Sequence, residues 1–571
     1  MRRGAPESRS ASGMLHSAVD CVYVPFAMIT ERILHMIDLD FTSNPTITPN
    51  PNPTVPLAAV VTFTPSRPCE TILSISDGAN RWDARYASTH NPADGLPVVG
   101  LRPDRSHEIR VTLTSENGES VGYPEPLTIT TPSLPAAPSL FPPLHIKASQ
   151  PERMEPGLTL VFARRRIPGE PAKLTPEQRQ FMTRYGLIIA LDASGEVVWY
   201  FQTHARIADM IQLRNGNFLF LTTEFDVTEV DVLGNVVQEW YASRRPQGPH
   251  DTAIPVDAET IHHCIYELFN GNFMAFTANA KEVENYYTSE WDPDAPRKTQ
   301  MVMGDTIIEF TREGKILWRW NCFDHLDPYR IGYDTLYSYW WVRGFPSHMD
   351  WSHGNSMWID EEENTIILCL RHQEAILKID RGSGEILWIL GEHTDWSPEL
   401  EKKLLQPVGE IQWPYRMHTP SITADGTFLI FDNGIFGARP FTMPKKPSDT
   451  YGRAAEYRID EEAMTVEQIW ASDQASETDN LVSYAMGDAD FLSGTGNVLV
   501  SYGMAVTPEQ VHDVPPNEYN RCSHVRGRSR VREVTRTSPP ETVFDVHLRN
   551  DEDEPNVGWS CFGAERIERL I

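Results

Sequence analysis

The feature that most constrains the fold is an internal repeat that occupies the chain from about residue 140 onward. One recurring unit is a strand, a glycine-containing turn and a second strand that ends in an aromatic residue. Its six copies, the last two degraded, are LIIALDASGEVVWYF, VTEVDVLGNVVQEW, IIEFTREGKILWRW, ILKIDRGSGEILWIL, AAEYRIDEEAMTVEQIW and REVTRTSPPETVFDV. A supersecondary unit repeated at this period implies similar blocks in a ring or a stack, not one irregular core.

A second unit precedes each copy, and it consists of a strand, an N-G-N or D-G turn and a very apolar strand. Its copies are ADMIQLRNGNFLFLT, HHCIYELFNGNFMAFT, SHGNSMWIDEEENTIILCL, HTPSITADGTFLIFD and GDADFLSGTGNVLVSYG, with HIKASQPERMEPGLTLVF as a poorer first instance. Asn-Gly and Asp-Gly turns favour antiparallel hairpins over parallel β-α units. Two hairpins per period make a four-stranded sheet, so residues 136–571 are predicted to form a six-bladed β-propeller in an all-β chain.

The N-terminal part has a different pattern. Residues 41–135 contain short alternating segments between polar turns, which predict a small β-sandwich that ends at a proline-rich linker. Residues 1–40 are predicted to be partly disordered or to form a short helix around 29–37. Between the propeller strands, the insertions 282–304 and 323–344 are rich in Tyr and Trp. We interpret them as loops near the entrance for an aromatic substrate.

The net charge of the chain limits the kinds of molecule that it is expected to bind. With 50 basic and 79 acidic residues, the net charge of −29 argues against nucleic acid and membrane surfaces. An enzyme for anionic substrates would need a local cluster of Arg and His. The seven scattered cysteines favour free thiols. We find no clear signal peptide or membrane-spanning run, so a cytoplasmic location is slightly favoured over a periplasmic or secreted one, and a homodimer is left open.

Three histidines mark the chemistry. Nine residues before the end of the turn, the first strand of one blade has His263 and that of another has His418, and we assign His353 as the counterpart in a blade with a longer turn. The innermost strands of a propeller run along its central channel, so these imidazoles are predicted to meet near the axis. A lone histidine is more often structural, but strand propensity gives histidine no advantage at a repeated position.

Two further residues complete the predicted site. Asn355 lies two residues after His353 and is expected on the same side of its strand, while Arg371 lies in the adjacent strand. Arg, Asn and His supply N–H donors for a tetrahedral anion, and we expect no acid in direct contact with it. A zinc site is the alternative use of a histidine cluster. Because Arg371 would repel a cation, we favour sulfate or phosphate chemistry and predict neither metal nor cofactor.

The segments HHCIYELFNGN, DWSHGNSMWIDEEENTIILCLRHQEAILKID and MHTPSITADGTFLIFDNG resemble the three signature stretches of the arylsulfotransferase family, which uses phenolic sulfate esters as donors. The similarity runs from about residue 41 to the end. It implies a ping-pong transfer in which His418 becomes transiently sulfurylated. By the same resemblance His353, Asn355, Arg371 and one histidine of the His262–His263 pair bind the sulfuryl oxygens, and we favour His263 because it shares the repeat phase of His418.

The expected substrates are therefore small aromatic sulfate esters and phenols. Periplasmic members of the family typically have a disulfide before the nucleophilic histidine, whereas this chain has no cysteine between Cys369 and Cys522. Two other functions stay open. The same residues could pass the sulfuryl group to water, which would make the protein an aryl sulfatase, or the propeller could be an inactive scaffold that binds a partner protein.

Overall fold

The structure is a computed structural model that describes residues 38–169, 173–337, 339–474, 479–515, 525–552 and 556–571. The predicted disorder or short helix around 29–37 lies outside the described residues. Within the described ranges, no helix has the length and apolar character needed to cross a bilayer. The described cysteines Cys69, Cys264, Cys322, Cys369 and Cys561 are free thiols.

The N-terminal domain is a β-sandwich. Its strands are β1 (Thr46–Pro49), β2 (Ala59–Thr62), β3 (Glu70–Ser76), β4 (Arg81–Tyr86), β5 (Leu96–Val98), β6 (Ser106–Thr114), β7 (Ser120–Gly122) and β8 (Leu127–Thr130). One sheet has the order β1-β2-β5 and the other β4-β3-β6-β7, with β8 also on β6. Strands β3 and β6 bury every second residue, so Leu73, Ile75, Ile109 and Val111 fill the core. The predicted β-sandwich is confirmed.

The rest of the chain is also built from strands. In chain order they are β9 (Leu144–Ser149), β10 (Leu158–Arg166), β11 (Gly186–Leu191), β12 (Val197–Thr203), β13 (Ile207–Gln212), β14 (Phe218–Thr222), β15 (Asp226–Val230), β16 (Val236–Ala242), β17 (Ile254–Val256), β18 (His262–Glu267), β19 (Phe273–Tyr286), β20 (Lys298–Phe310), β21 (Ile316–Asn321), β22 (His348–Asp350), β23 (Gly354–Asp360), β24 (Thr365–Leu370), β25 (Ala375–Asp380), β26 (Ile386–Gly391), β27 (Gln406–Pro407), β28 (His418–Ile422), β29 (Phe428–Asp432), β30 (Arg453–Asp460), β31 (Thr465–Ala471), β32 (Val482–Ser483), β33 (Asp488–Phe491), β34 (Val498–Val506), β35 (Arg528–Val534), β36 (Thr542–Leu548) and β37 (Gly558–Ile567).

These strands form six sheets, which we number by their position along the chain. Sheet 1 has the order β12-β11-β10-β37, sheet 2 β13 to β17, sheet 3 β18 to β21 with β22 on β20, and sheet 4 β23 to β26. Sheet 5 has the order β27-β31-β30-β29-β28, and sheet 6 β32-β34-β35-β36-β9 with β33 on β34. The inner strands β13, β18, β23, β28, β33 and β37 contact one another in this sequence, and β37 contacts β13. The sheets therefore close into a propeller, as predicted.

The ring is closed by strands from its two ends. The C-terminal strand β37 pairs antiparallel with β10 as the inner strand of sheet 1, and β9 pairs antiparallel with β36 at the edge of sheet 6. The expectation that 145–162 forms the first hairpin is therefore wrong, because its two strands belong to different sheets. Sharing strands in this way ties the first and last sheets to both ends of the repeat region and holds the ring closed.

The repeat turns follow their sequences. At Gly271 the backbone φ is 83° and at Gly426 it is 74°, a conformation that glycine adopts without a steric cost. Helices are few, with α1 at Pro176–Thr183, whose first turn is capped by the Thr175 side chain, and α2 at Pro398–Glu401. The insertion 282–304 mostly extends the β19–β20 hairpin, while 323–344 is a loop with short turns that reaches the channel.

Candidate active site

A cavity of about 390 Å³ lies where the inner strands begin. All of the predicted histidines and Arg371 line it, together with side chains from sheet 1, α1 and the 323–344 loop. The lining residues that matter below are His262, His263, His353, His372, His418, Arg371, Asp334, Asp350, Tyr339, Met486, Arg164, Arg206 and Arg343. Groups from all six sheets, or from residues that directly flank their strands, therefore share one chamber.

Backbone irregularities turn the histidines into the chamber. Pairing with the second strand shifts register between His262 and Ile265 in β18, and between His418 and Ser421 in β28. His263 has φ 62° and His353 has φ 48°, which residues with a Cβ rarely adopt. Bulges and left-handed residues at a strand end re-aim side chains, and they concentrate at functional sites.

The repeat equivalence holds for only part of the set. Counting from the last pairs at the turns, Glu267 with Phe273 and Ile422 with Phe428, places His263 and His418 at the same position. The equivalent residue in sheet 4 is Ser356, counted from the pair Asp360–Thr365. The expectation that His353 is the counterpart is therefore wrong. It lies just before β23 and reaches the same chamber from the loop.

His418 is held in one tautomer. Its Nδ1–H donates to Asn433 Oδ1 at 2.7 Å. The amide orientation of Asn433 is fixed because its Nδ2 donates to the carbonyls of Ser483 at 3.1 Å and Met486 at 2.9 Å. The lone pair of His418 is therefore on Nε2, where it accepts the backbone N–H of Met486 at 3.1 Å. An anchored Nδ1 and an accepting Nε2 suit a nitrogen nucleophile.

Both members of the His262–His263 pair line the chamber. Their Nδ1 atoms lie 2.7 Å apart, so one donates to the other. His262 Nε2 is 3.3 Å from Asp305 Oδ1, and the Tyr339 hydroxyl is 3.2 Å from His263 Nε2. The rings of His263 and Tyr339 stack with centroids 5.5 Å apart. The pair thus connects a buried carboxyl group to an aromatic side chain of the 323–344 loop.

His353 is bound to an acid. Its Nδ1 lies 2.6 Å from Asp350 Oδ2, and Trp340 Nε1 donates to the other Asp350 oxygen at 2.9 Å. The imidazole of His353 stacks on that of His372 at 4.4 Å and packs against His263 at 4.8 Å. Since Nδ1 is occupied, His353 Nε2 is the atom left for proton transfer in the chamber.

Arg371 begins a short turn after β24. Its Nη1 donates to His372 Nε2 at 2.8 Å and its Nη2 donates to the carbonyl of Tyr484 at 3.0 Å. Its Nη1 is also 3.5 Å from Asp334. The buried Nε of Arg371 has no hydrogen-bond partner among the described residues. An unpartnered guanidinium N–H is the kind of donor that binds anionic oxygens.

Two expectations about the immediate surroundings are wrong. Acids do line the chamber, since Asp334 and Asp350 are in its wall. Asn355 does not line it, because the register shift between Gly354 and Ser356 turns Asn355 away from the direction expected for a regular strand. Asn355 is fully buried and its Nδ2 donates to the carbonyl of Met417 at 2.8 Å. Its position suits holding the residue before His418.

Burial governs the protonation of the site. It lowers the pKa of His262, His263, His353, His372 and His418 well below the ordinary value, and nearby guanidinium groups lower each pKa further. Burial also raises the pKa of Asp350 to about 7 and that of Asp305 to about 7. The histidines are thus neutral at pH 7, and each of these buried carboxyl groups binds a proton far more readily than an exposed carboxylate.

One group of side chains could hold a cation. Asp350, His353 and His372 each offer a ligand atom within 4.8 Å of the others. However, both nitrogens of His372 are engaged, Nδ1 with the carbonyl of Asp350 at 2.6 Å and Nε2 with Arg371. A cation there would also lie beside the Arg371 guanidinium. These side chains therefore fit an anionic ligand better than a metal ion.

Sequence reasoning missed several of these groups. Asp350, three residues before His353, and His372, next to Arg371, lie inside the quoted segments, so proximity to a predicted site residue was the available signal. Asn433 also lies inside a quoted segment, MHTPSITADGTFLIFDNG, but it is 15 residues from His418, so proximity to a predicted site residue does not single it out. Tyr339 belongs to the insertion that we expected near an entrance, but nothing in its sequence distinguishes it from neighbouring aromatics.

The matches to known protein families cover the N-terminal domain and most of the propeller. The family model described as arylsulfotransferase (ASST) matches residues 145–553, and the one described as arylsulfotransferase Ig-like domain matches residues 46–132. Arylsulfate sulfotransferase AssT of Escherichia coli is 29% identical over 207 residues, and AssT of Lelliottia amnigena is 28% identical over 207 residues. Each alignment covers 29% of this chain and 34% of the relative, about a third of its length.

Among solved structures, the WD40 beta propeller domain of Doa1 is 8% identical, with a TM-score of 0.27. The superposition covers 70% of this chain and 86% of that domain.

Proposed function

Because this chain belongs to the arylsulfotransferase family, we propose that it transfers a sulfuryl group from an aryl sulfate to a phenolic acceptor in two steps. His418 Nε2 is the nucleophile. In the first step its lone pair forms a bond to sulfur, the bond from sulfur to the aryl oxygen breaks, and the electron pair leaves on that oxygen. In the second step the acceptor oxygen attacks the same sulfur and the electron pair of the N–S bond returns to Nε2.

Stabilisation of the sulfuryl oxygens comes from N–H donors. The transfer passes through a loose state in which charge is spread over the oxygens, so correctly placed donors supply most of the catalysis. Among the residues that the structure describes, the Nε–H of Arg371 has no competing partner. The Met486 N–H, which donates to His418 Nε2 before reaction, is released when that nitrogen binds sulfur and then becomes a second donor.

The proton that the reaction needs is assigned to the Asp350–His353 pair. Burial opposes charge on both groups, raising the pKa of Asp350 to about 7 and lowering that of His353. Near neutral pH the pair therefore holds one dissociable proton. His353 gives its Nε2–H to the departing aryl oxygen while its Nδ1 takes the proton of Asp350, and in the second step Nε2 accepts the proton of the acceptor phenol as the Nδ1 proton returns to Asp350. Donor plus phenol thus gives new ester plus phenol, with atoms and protons balanced.

The observation that supports the proposal best is the environment of His418. Asn433 fixes its Nδ1–H, so a neutral imidazole presents the Nε2 lone pair in a chamber that also contains a guanidinium. Before the reaction this lone pair accepts the Met486 N–H at 3.1 Å, and attack on sulfur releases that hydrogen bond.

Intact-mass spectrometry tests the proposal. After brief exposure to 4-nitrophenyl sulfate, the wild-type protein should gain the mass of one sulfuryl group, and His418→Ala should not. His204→Ala, at an exposed histidine that does not line the chamber, is the matched control and should label normally. An adduct that persists in His418→Ala would assign the nucleophile to another residue.

Release of the chromophore separates the alternatives. Added phenol should accelerate 4-nitrophenol release and produce phenyl sulfate. If the rate is indifferent to phenol and free sulfate accumulates, the protein is an aryl sulfatase and not a transferase. If no adduct forms and no aryl sulfate is turned over, the binding scaffold is the favoured function.

A further inference from the structure

A second group of positive charges lines the same chamber from other parts of the fold. Arg164 is on β10, Arg206 directly precedes β13, and Arg343 ends the short helical turn Trp341–Arg343. We call these three residues the arginine cluster. The pKa of Arg206 is lowered by burial and then by the charges of Arg164 and Arg343, so the three lie close enough to repel one another.

No member of the cluster forms an ion pair with a carboxylate among the described residues, although the charge of Asp209 acts on Arg164 from a greater distance. No carboxylate oxygen in the described chain lies within 4.0 Å of a nitrogen of Arg164, Arg206 or Arg343. Arg164 is 6% exposed, donates to the Met486 sulfur at 3.2 Å and the Ala208 carbonyl at 3.0 Å, and leaves its Nε without a partner. The buried Nε of Arg206 has no partner either, and its guanidinium donates no hydrogen bond within the described ranges.

Most of the other buried arginines in the described chain are paired with a carboxylate, although Arg165 and Arg330 bind only carbonyl or amide oxygens. Arg530 is bound by both oxygens of Asp545, at 3.0 and 2.7 Å, and Arg532 is 2.8 Å from Asp473. A buried guanidinium without such a partner carries a large desolvation cost. Arg164 is buried and retains this cost in full, and the half-buried Arg206 and Arg343 retain part of it, in a chamber that the proposed reaction fills with an anion. A ligand that brings its own negative charge would offset it.

Tyr339 separates the cluster from the histidines. The guanidinium of Arg343 lies 3.7 Å from the centre of the Tyr339 ring, and the same ring stacks on His263. The two groups of donors are thus parts of one chamber with an aromatic ring between them. A single aromatic substrate can place one end near His418 and a charged end near the cluster.

We propose that the arginine cluster is a second anion subsite, which selects aryl sulfates and phenols whose aromatic scaffold carries an additional anionic group. This specificity rests on the proposed transfer reaction. Guanidinium groups bind carboxylate, sulfate and phosphate through paired N–H donors, so the additional group is of that class.

The test compares two donors that differ only in charge. 4′-Sulfooxybiphenyl-4-carboxylate and the corresponding carboxamide have the same scaffold and the same reacting oxygen. We expect the wild-type protein to prefer the carboxylate in kcat/KM by about tenfold, the value of one charge-assisted contact. Arg206→Gln should abolish that preference and Arg206→Lys should retain part of it. Arg184→Gln is the matched control, because Arg184 is exposed and does not line the chamber.

Calorimetric measurement of binding tests the anion subsite independently of the sulfuryl transfer reaction. Biphenyl-4-carboxylate and biphenyl-4-carboxamide contain no transferable group, so their affinities report the subsite even if the protein turns over no aryl sulfate. We expect tighter binding of the carboxylate to the wild type and equal binding to Arg206→Gln. Equal affinities of wild type for both ligands, or a preference that survives in Arg206→Gln, would overturn the subsite without touching the role of His418.

Discussion

Two stretches of the same channel differ in their charge. Where the inner strands begin, the chamber is lined by neutral histidines and by arginines with few counter-ions. Further along the same strands come four carboxyl groups whose charges interact with one another, Asp209, Asp488, Asp490 and Glu565. A protein with a net charge of −29 thus keeps a positive region at one end of its axis and an acidic stretch immediately behind it.

The difference lies in how each stretch responds to burial. Burial disfavours charge, and the acidic stretch responds by protonation, which raises the pKa of Asp209 to about 8, of Glu565 to about 8 and of Asp488 to about 6. Arginine does not readily lose its proton, so the chamber cannot respond in that way. Its charge persists until an anion arrives, which is the property that an anion site needs.

The largest effect is expected when the guanidinium of Arg371, which lies beside the nucleophile in the chamber, is removed. Arg371→Ala is expected to lower kcat for sulfuryl transfer about 10³-fold, because the lost N–H acts on charge that grows in the transition state. Circular dichroism and the melting temperature show whether the fold is retained. A wild-type rate in a folded variant would remove Arg371 from the mechanism.

The next largest effect concerns the tautomer of His418. Asn433→Ala removes the acceptor of the Nδ1–H, so Nε2 is no longer fixed as the nucleophile, and we expect adduct formation to slow about 10²-fold. Stopped-flow measurement of the 4-nitrophenol burst reports this step directly. The conservative Asn433→Gln should recover part of the rate. A full burst rate in Asn433→Ala would mean that another contact orients the imidazole.

The histidines were predictable from sequence, and their surroundings were not. The repeat placed His263 and His418 at one position of separate strands, and both the β-sandwich and the propeller followed from turn chemistry and alternation. Asn355 and His353 show the limit. Counting by twos assumes a regular strand, whereas a register shift at Gly354 changes which side each residue faces. The Asp350 and Asn433 contacts depend on side-chain geometry that a single sequence does not encode.

The pH dependence of adduct formation sharpens the claim that the chamber histidines are neutral. Because burial lowers the pKa of His418 well below its ordinary value near 6.5, the nucleophile stays deprotonated as the pH falls through that value. We expect the burst rate with 4-nitrophenyl sulfate, whose leaving group needs little protonation, to stay within about twofold from pH 8 to pH 6. A tenfold fall over that range would show an ordinary histidine pKa.

The smallest effect belongs to the acidic stretch. Glu565 has a pKa of about 8 in the folded protein and the ordinary value near 4.5 when unfolded, so between those values the folded state binds more protons. Stability therefore falls as the pH rises through this window, and the free-energy cost of ionising Glu565 is complete only above pH 8.

Glu565→Gln removes this cost, so the melting temperature of the variant should exceed that of the wild type by about 1–3 °C at pH 9 and match it at pH 5. The exposed Glu568→Gln, three positions further, is the control and should show no such trend. An equal shift in melting temperature at both pH values would show that the effect comes from packing. Ionisation of the acidic stretch would then not affect stability as the contrast between the two stretches requires.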